Sequence, residues 1–292
     1  MANETTTTTA DDTVITALHR ALMEELRPLV LPFKSLFMQA DPFGAGRTVQ
    51  IAKITDPGAA AGVAEATDLT NTAISTGAAT VTASEQAIMA TPTDVLSEAS
   101  EFDAYAWVRE VLVRSLAERL NDQFCALFSG FTNVTGTSGS PLTLTQFISA
   151  VSALAQRDVP GPYTAILHPV QVFHLQTATG GILSGPANSN FLANPALKQS
   201  IMDSVQRDAY AGSLMGVDIW QTTSVVTANA GADRAGVVAS KDAIAWHQLR
   251  DFRVELQRDA SLRATEIVAS YNLGVARTDD PRGQAVITKA TA

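Results

Sequence analysis

The run DAYAWVREVLVRSLAERLNDQFCALF, residues 103–128, constrains the fold more than any other stretch of the chain. Tyr105, Val108, Leu112, Leu116, Leu120, Phe124 and Leu127 recur at steps of three or four, the spacing that lines one face of an α-helix. Glu110, Arg114 and Glu118 fall on the opposite side, with Glu110 ahead of Arg114 in the favourable order for an i,i+4 ion pair. Arg109, Arg119 and Gln123 interrupt the apolar side, so its burial is incomplete. Ser100 and Asp103 supply a capping pattern. At 1.5 Å per residue such a helix is a rod of roughly 39 Å. The stripe lacks the sustained heptad of a coiled coil, so it reads as one amphipathic helix lying across a sheet.

No obvious catalytic residue sits on that rod, and composition points the same way. Of 292 residues, only 17% are charged while 46% are hydrophobic. Few charges mean either a surface covered by copies of the same chain or enrichment in Ala and Thr. Acidic residues outnumber basic ones, 29 to 20, the reverse of a protein that holds nucleic acid by neutralising phosphates. The single cysteine, Cys125, excludes an internal disulfide and a cysteine metal cluster. Between Phe124 and Ala126–Phe128 it reads as a small buried hydrophobe. The start, MANETTTTTADD, lacks the apolar core of a secretory signal, and no apolar run reaches membrane-spanning length. The expectation is a chain made and kept in the cytosol until something else releases it.

Along the chain, a polar arm precedes a helix from Asp12 with Val14, Leu18, Ala21, Leu22 and Leu26 on one face, stopped by Pro28 and Pro32. Arg47–Ile54 and Ala78–Ala90 read as two strands. Between them TDPGAAAGVAEATDLTNTAISTG has almost nothing to pack. A loop of about twenty residues is out of place inside a compact domain, but it suits the tip of a hairpin arm laid over a neighbour, because a lone hairpin is marginal in water. After the long helix, Thr143 or Thr145 caps a second one with Phe147, Ile148, Val151 and Leu154 inward. YTAILHP is a buried strand and PVQVFHLQTA a helix opening at Pro169. NPALKQSIMDSVQRDAYAG reads as a helix capped by Asn194 and closed by Gly212, and SLMGVDIWQTTSV as a strand. The rest is strand: RAGVVAS, then DFRVELQRD with Phe252, Val254 and Leu256 on one face, then TEIVASYNLGVAR with Ile267, Ala269, Tyr271, Leu273 and Val275 inward. The class is α+β, an antiparallel sheet with helices packed on it.

Residues with chemistry do not converge. His19, His168, His174 and His247 form no metal motif, and His168 and His174 are poorly spaced for ligands. GTSGS (136–140) lacks the last glycine of a nucleophile elbow and follows no buried strand. GAG (44–46) opens no helix, and neither it nor TGGILSG has a phosphate-binding lysine. Asp279 and Asp280, beside Pro281 and Arg282, read as a solvated turn rather than a catalytic pair. No catalytic residue, cofactor or metal ligand is assigned.

The order of these pieces resembles the HK97-fold major capsid proteins of tailed bacteriophages. The resemblance rests on the helix DAYAWVREVLVRSLAERLNDQFCALFSG, on YTAILHPVQVFHL, on LMGVDIWQTTSV, and on the closing pair FRVELQRDA and IVASYNLGVAR. It implies an N-terminal arm (1–34), an extended hairpin or E-loop (35–98), a peripheral domain with the spine helix (99–158 and 236–292) and a mixed α/β axial domain (159–235). It implies hexamers and pentamers closing into an icosahedral shell around packaged DNA, in the virion and without sequence-specific binding. Phe43, Lys53 and Asp56 on the arm and Trp220 in the axial insertion are the expected neighbour contacts; Trp107 fits the core equally well. Some members join the hairpin to a neighbour by a lysine–asparagine bond. Here no asparagine or catalytic glutamate matches Lys53, which reads as a solvated or salt-bridged lysine. Little sequence precedes the hairpin, so scaffolding is expected from a separate protein, with portal and decoration proteins as further partners. The alternatives are an encapsulin-like nanocompartment shell with the same fold, an α/β enzyme built on His168, His174 and Asp208, and a surface-layer protein, which the missing secretion signal disfavours.

Overall fold

The apolar stripe becomes a single helix, α1, over Ala104–Cys125, in a computed structural model that describes residues 31–40, 46–54, 58, 60, 62, 63, 65, 68, 71–94, 104–178 and 209–291. At 22 residues it is shorter than the 103–128 run, roughly 33 Å of rod. It stops early because Leu127 N–H bonds Phe124 O, three residues back rather than four. That tightening leads into a 3₁₀ turn at Phe128–Gly130. Val108, Leu112, Leu116, Leu120 and Phe124 are all buried. Phe124 stacks on Phe33 at 4.7 Å and lies 6.0 Å from Phe37 between ring centroids, both from the single helical turn Phe33–Leu36 and the residue that ends it.

The remaining elements run in chain order: β1 Met38–Gln39, β2 Thr48–Ile54, β3 Thr76–Thr82, β4 Ser84–Ala90, then after α1 β5 Val134–Thr135, α2 Leu144–Ala155, β6 Tyr163–Leu167, α3 Pro169–Ala178, β7 Tyr210–Leu214, β8 Val217–Gln221, β9 Thr227–Ala228, β10 Asp233–Ser240, β11 Ile244–Asp259, β12 Ala264–Arg277 and β13 Gly283–Lys289. One sheet has the order β1-β11-β12-β4 and shares its core with α1. Phe252, Val254, Ile267, Ala269, Tyr271 and Leu273 are buried while Arg253, Glu255 and Gln257 face out, the period-2 pattern of a sheet covered on one side. The second sheet runs β5-β13-β10-β6-β8-β7, with β9 beside β10. Its core draws on α2 through Phe147, Ala150 and Leu154. Thr143 is the cap, in a reciprocal capping box with Gln146; Ile148 and Val151 are only half-buried.

Three local readings change. The run Ala78–Ala90 is not one strand. Ala83 is fully buried at a break where β3 pairs with β2 and β4 moves to β12, so the change of partner divides it. Residues 210–212 belong to β7 rather than to a helix end. SLMGVDIWQ is a hairpin of β7 and β8, because Met215 and Gly216 both take positive φ, 55° and 78°, the two-residue turn that matches strand twist. The helices read at 12–26 and 194–208 lie outside the described residues.

The β2–β3 hairpin is rooted on the first sheet. Val49 and Val81 face each other and are buried in a small core with Ala40 and Ala245. Gly274 of β12 lies beneath that root, where a Cβ would meet Thr82 O at 2.3 Å. Only glycine admits so close an approach. Arg47 Nε donates to Ala83 O at 2.7 Å and closes the base.

Candidate subunit interface

Past its root the hairpin loses cover on both faces. Ile51 and Ala79, an opposed pair, are half-buried. From there outward Ala52, Lys53 and Ile54 on β2 and Thr76, Gly77 and Ala78 on β3 are all exposed. Ile54 is 70% exposed and Ile74 63%. Alternation should have turned such isoleucines inward; a two-stranded ribbon has no layer to receive them. A two-stranded ribbon without a covering layer is marginal on its own.

Lys53 is salt-bridged, to Asp279 of its own chain. Asp279 also receives Arg282 Nε at 3.4 Å, and Arg282 Nη1 reaches Asp242 at 2.9 Å. Arg277 holds Asp280 at 2.6 Å. Each carboxylate of the 279–280 pair therefore answers a cation. This chain of ions ties the hairpin to the body four residues beyond its apolar root, although exposed pairs of this kind contribute little, about 0–1 kcal/mol each. Trp220 is half-buried on β8, with Tyr210 edge-on at 5.1 Å; among the described residues its buried Nε1 has no acceptor. Phe43, Asp56 and the side chain of Trp107 lie outside the described residues.

His174 is buried, its Nδ1 without a partner among the described residues, and burial first, then Lys289, lowers its pKa. His168 Nδ1 accepts from Val170 N–H at 3.2 Å, while Asp208 lies outside the described residues. Burial raises the Cys125 thiol far above its ordinary value, so it is no nucleophile. Among the described residues, no three His, Cys, Asp or Glu side chains gather around a metal-sized space.

The GTSGS loop is structural. Ser138 Oγ donates to Asp233 Oδ2 at 2.6 Å, Gly139 N–H to Oδ1 at 2.9 Å, and Asn229 Nδ2 to Oδ2. The Ser138 and Asn229 bonds hold the Asp233 carboxyl below its ordinary value. The stability this adds is therefore complete above the ordinary carboxylate range and lost as pH falls through the lowered native value. Hydrogen exchange at Gly139, corrected for intrinsic rate, is expected to lose protection on that descent. In Asp233→Ala it is expected to be unprotected at neutral pH as well, because no side-chain acceptor remains for the Gly139 N–H.

No protein-family model matches the chain, and no curated protein matches it. Solved structures do. A chain from Mycobacterium phage Che8 superposes with a TM-score of 0.68 at 16% identity, covering 87% of this chain and 90% of that one. The capsid of cyanophage P-SCSP1u gives 0.65 at 16%, covering 89% and 88%. The chain has the HK97-like phage capsid fold. The capsid of a native GTA particle shares it, with a TM-score of 0.58 at 14% identity over 88% and 90% of the two chains. Within the HK97-like fold the exposed outer hairpin had to be found from burial. Its sequence signal was the long Ala/Gly/Thr stretch with nothing to pack, and the exposure of Ile54 and Ile74 had none.

Proposed function

We propose that this chain is the major capsid protein of a tailed bacteriophage, assembling as hexamers and pentamers into the icosahedral shell that encloses packaged DNA. The observation that carries the reading is the β2–β3 hairpin, rooted by Val49 and Val81 yet exposed from Ala52 outward, held there to its own body only through the exposed Lys53–Asp279 bridge among the described residues. A ribbon like that is completed by a neighbouring subunit. The likeness to phage capsids supports the same role. The arm, hairpin, peripheral and axial divisions at 1–34, 35–98, 99–158 with 236–292, and 159–235 belong to this reading. So do Phe43, Lys53, Asp56 and Trp220 as neighbour contacts; Lys53 then acts by setting the hairpin's angle through Asp279. The partners of this reading are other copies of the chain, together with scaffolding, portal and decoration proteins. The formal charge of −9 gives an enclosing wall that does not bind phosphate strongly.

The test is electron microscopy of the purified chain at high concentration, alone and co-expressed with the genes that flank it. Closed shells or rings of five and six subunits are the expected result. A monomer under both conditions would overturn the proposal, and particles filled with a protein cargo would replace the genome with that cargo.

A further inference from the structure

Two short turns carry the chain directly from a strand of one sheet to a strand of the other. Lys241–Ala243 leads from β10 in the second sheet to β11 in the first, and Asp280–Arg282 leads back from β12 to β13. The two turns are bonded to each other. Thr278 N–H donates to Ala243 O at 2.9 Å, and Arg282 Nη1 to Asp242 Oδ2 at 2.9 Å. The segments that follow α1 and α2 close around them. Arg277 Nη1 donates to Gly130 O, Asn133 Nδ2 to Asp280 O at 3.3 Å, and Arg157 to Pro281 O at 3.1 Å and Gln284 Oε1 at 2.7 Å. A few turn residues bonded mainly through polar groups are the usual make-up of a hinge.

The hairpin lands on this joint. Lys53 takes Asp279 Oδ1, and the other oxygen of the same carboxylate accepts from Arg282 Nε at 3.4 Å. Asp279 is thus shared by two cations, and Arg282 by two carboxylates. The sharing is a competition. With Lys53 in place, Asp279 offers the guanidinium one oxygen at long range, and Arg282 uses its Nη1 for Asp242. With Lys53 withdrawn, both Asp279 oxygens are open to the guanidinium, whose planar fork favours two-oxygen pairing. Closing on Asp279 draws Arg282 away from Asp242 and removes the side-chain tie between the two turns.

We propose that this joint couples the set of the β2–β3 hairpin to the angle between the two sheets, with Asp279 as the relay and Arg282 as the element that changes partner. Coupling of this kind is reciprocal: loss of the Asp242 carboxylate lets Arg282 close on Asp279 and compete with Lys53, which loosens the hairpin in return. In a shell, a neighbour that moved the hairpin would change the angle between the sheets. That consequence rests on the shell reading, whereas the coupling belongs to the single subunit.

Pulsed electron paramagnetic resonance on the unassembled subunit tests it. Nitroxides on Thr76→Cys and Gln257→Cys read the hairpin against the first sheet, and those on Gln257→Cys and Ser213→Cys read one sheet against the other. All three positions are exposed, and Cys125 is buried. Lys53→Met is expected to shift or broaden the distance between the sheets, although Lys53 belongs to neither of them. Asp242→Asn is expected to shift or broaden the hairpin distance. Glu85→Gln removes an exposed ion pair to Arg250 on the first sheet and is expected to leave both distances as in the parent. Variants that alter only the distance at their own end, or neither distance, overturn the coupling. So does a Glu85→Gln change as large as theirs. Because no particle is needed for these readings, their failure leaves the shell reading standing, and a failure to form shells leaves the coupling standing.

Discussion

Phe124→Ala is expected to destabilise the isolated subunit by about 3–5 kcal/mol, the range for deleting a fully buried aromatic ring. Phe124 is completely buried, and its ring joins Phe33 and Phe37 in one stacked group. Stacked pairs add about 0.5–1.5 kcal/mol beyond area burial. Alanine therefore removes transfer energy, two ring contacts and the filling of the space between α1 and the Phe33–Leu36 turn. Urea denaturation measures the loss as a lower midpoint with little change in slope. Val111→Ala on the same helix is the control: Val111 is 44% exposed, and a surface change of this kind shifts stability by about 0.5 kcal/mol or less. A Phe124→Ala loss no larger than that of Val111→Ala would mean that the N-terminal turn does not pack on α1 in solution.

That aromatic group separates what was legible in the sequence from what was not. The spacing that buries Val108, Leu112, Leu116, Leu120 and Phe124 is local, and it predicts the helix and its buried face. The alternation in β11 and β12, the Thr143 cap and the Pro169 helix start are local too. What the run 103–128 does not contain is the identity of the covering layer: Phe33 and Phe37 lie about ninety residues upstream. The division at Ala83 is hidden for the same reason, since it is made by β2 and β12 competing for successive halves of one extended segment. The Met215–Gly216 turn was missed because methionine is an unusual first residue for a left-handed pair, where Asn or Asp is the expected signal.

The interface follows the same rule. Lys53 as a salt-bridged lysine was readable, but its partner Asp279 is 226 residues away. The bareness of the outer hairpin is a property of what fails to pack on it, and no spacing encodes that.

Replacing residues 55–75 with an Asn-Gly turn is expected to leave a folded subunit that forms no closed shell. Ile54 and Thr76 are the last opposed pair of the hairpin, so a two-residue turn closes the ribbon without disturbing its register. The root is untouched: Val49 and Val81 stay in their core, and Lys53 still meets Asp279. Thermal unfolding of the variant subunit should therefore match that of the parent. Assembly responds differently, because a shell multiplies one modest contact by every subunit in it. Each 1.4 kcal/mol removed from a single contact is about tenfold in its own equilibrium, and repetition converts that into an assembly threshold out of reach. Sedimentation and microscopy at concentrations where the parent closes should find only monomers or small rings. Closed shells of parental size from the shortened chain would show that the outer hairpin is dispensable, and the reading of Ile54 and Ile74 as contact residues would fall with it.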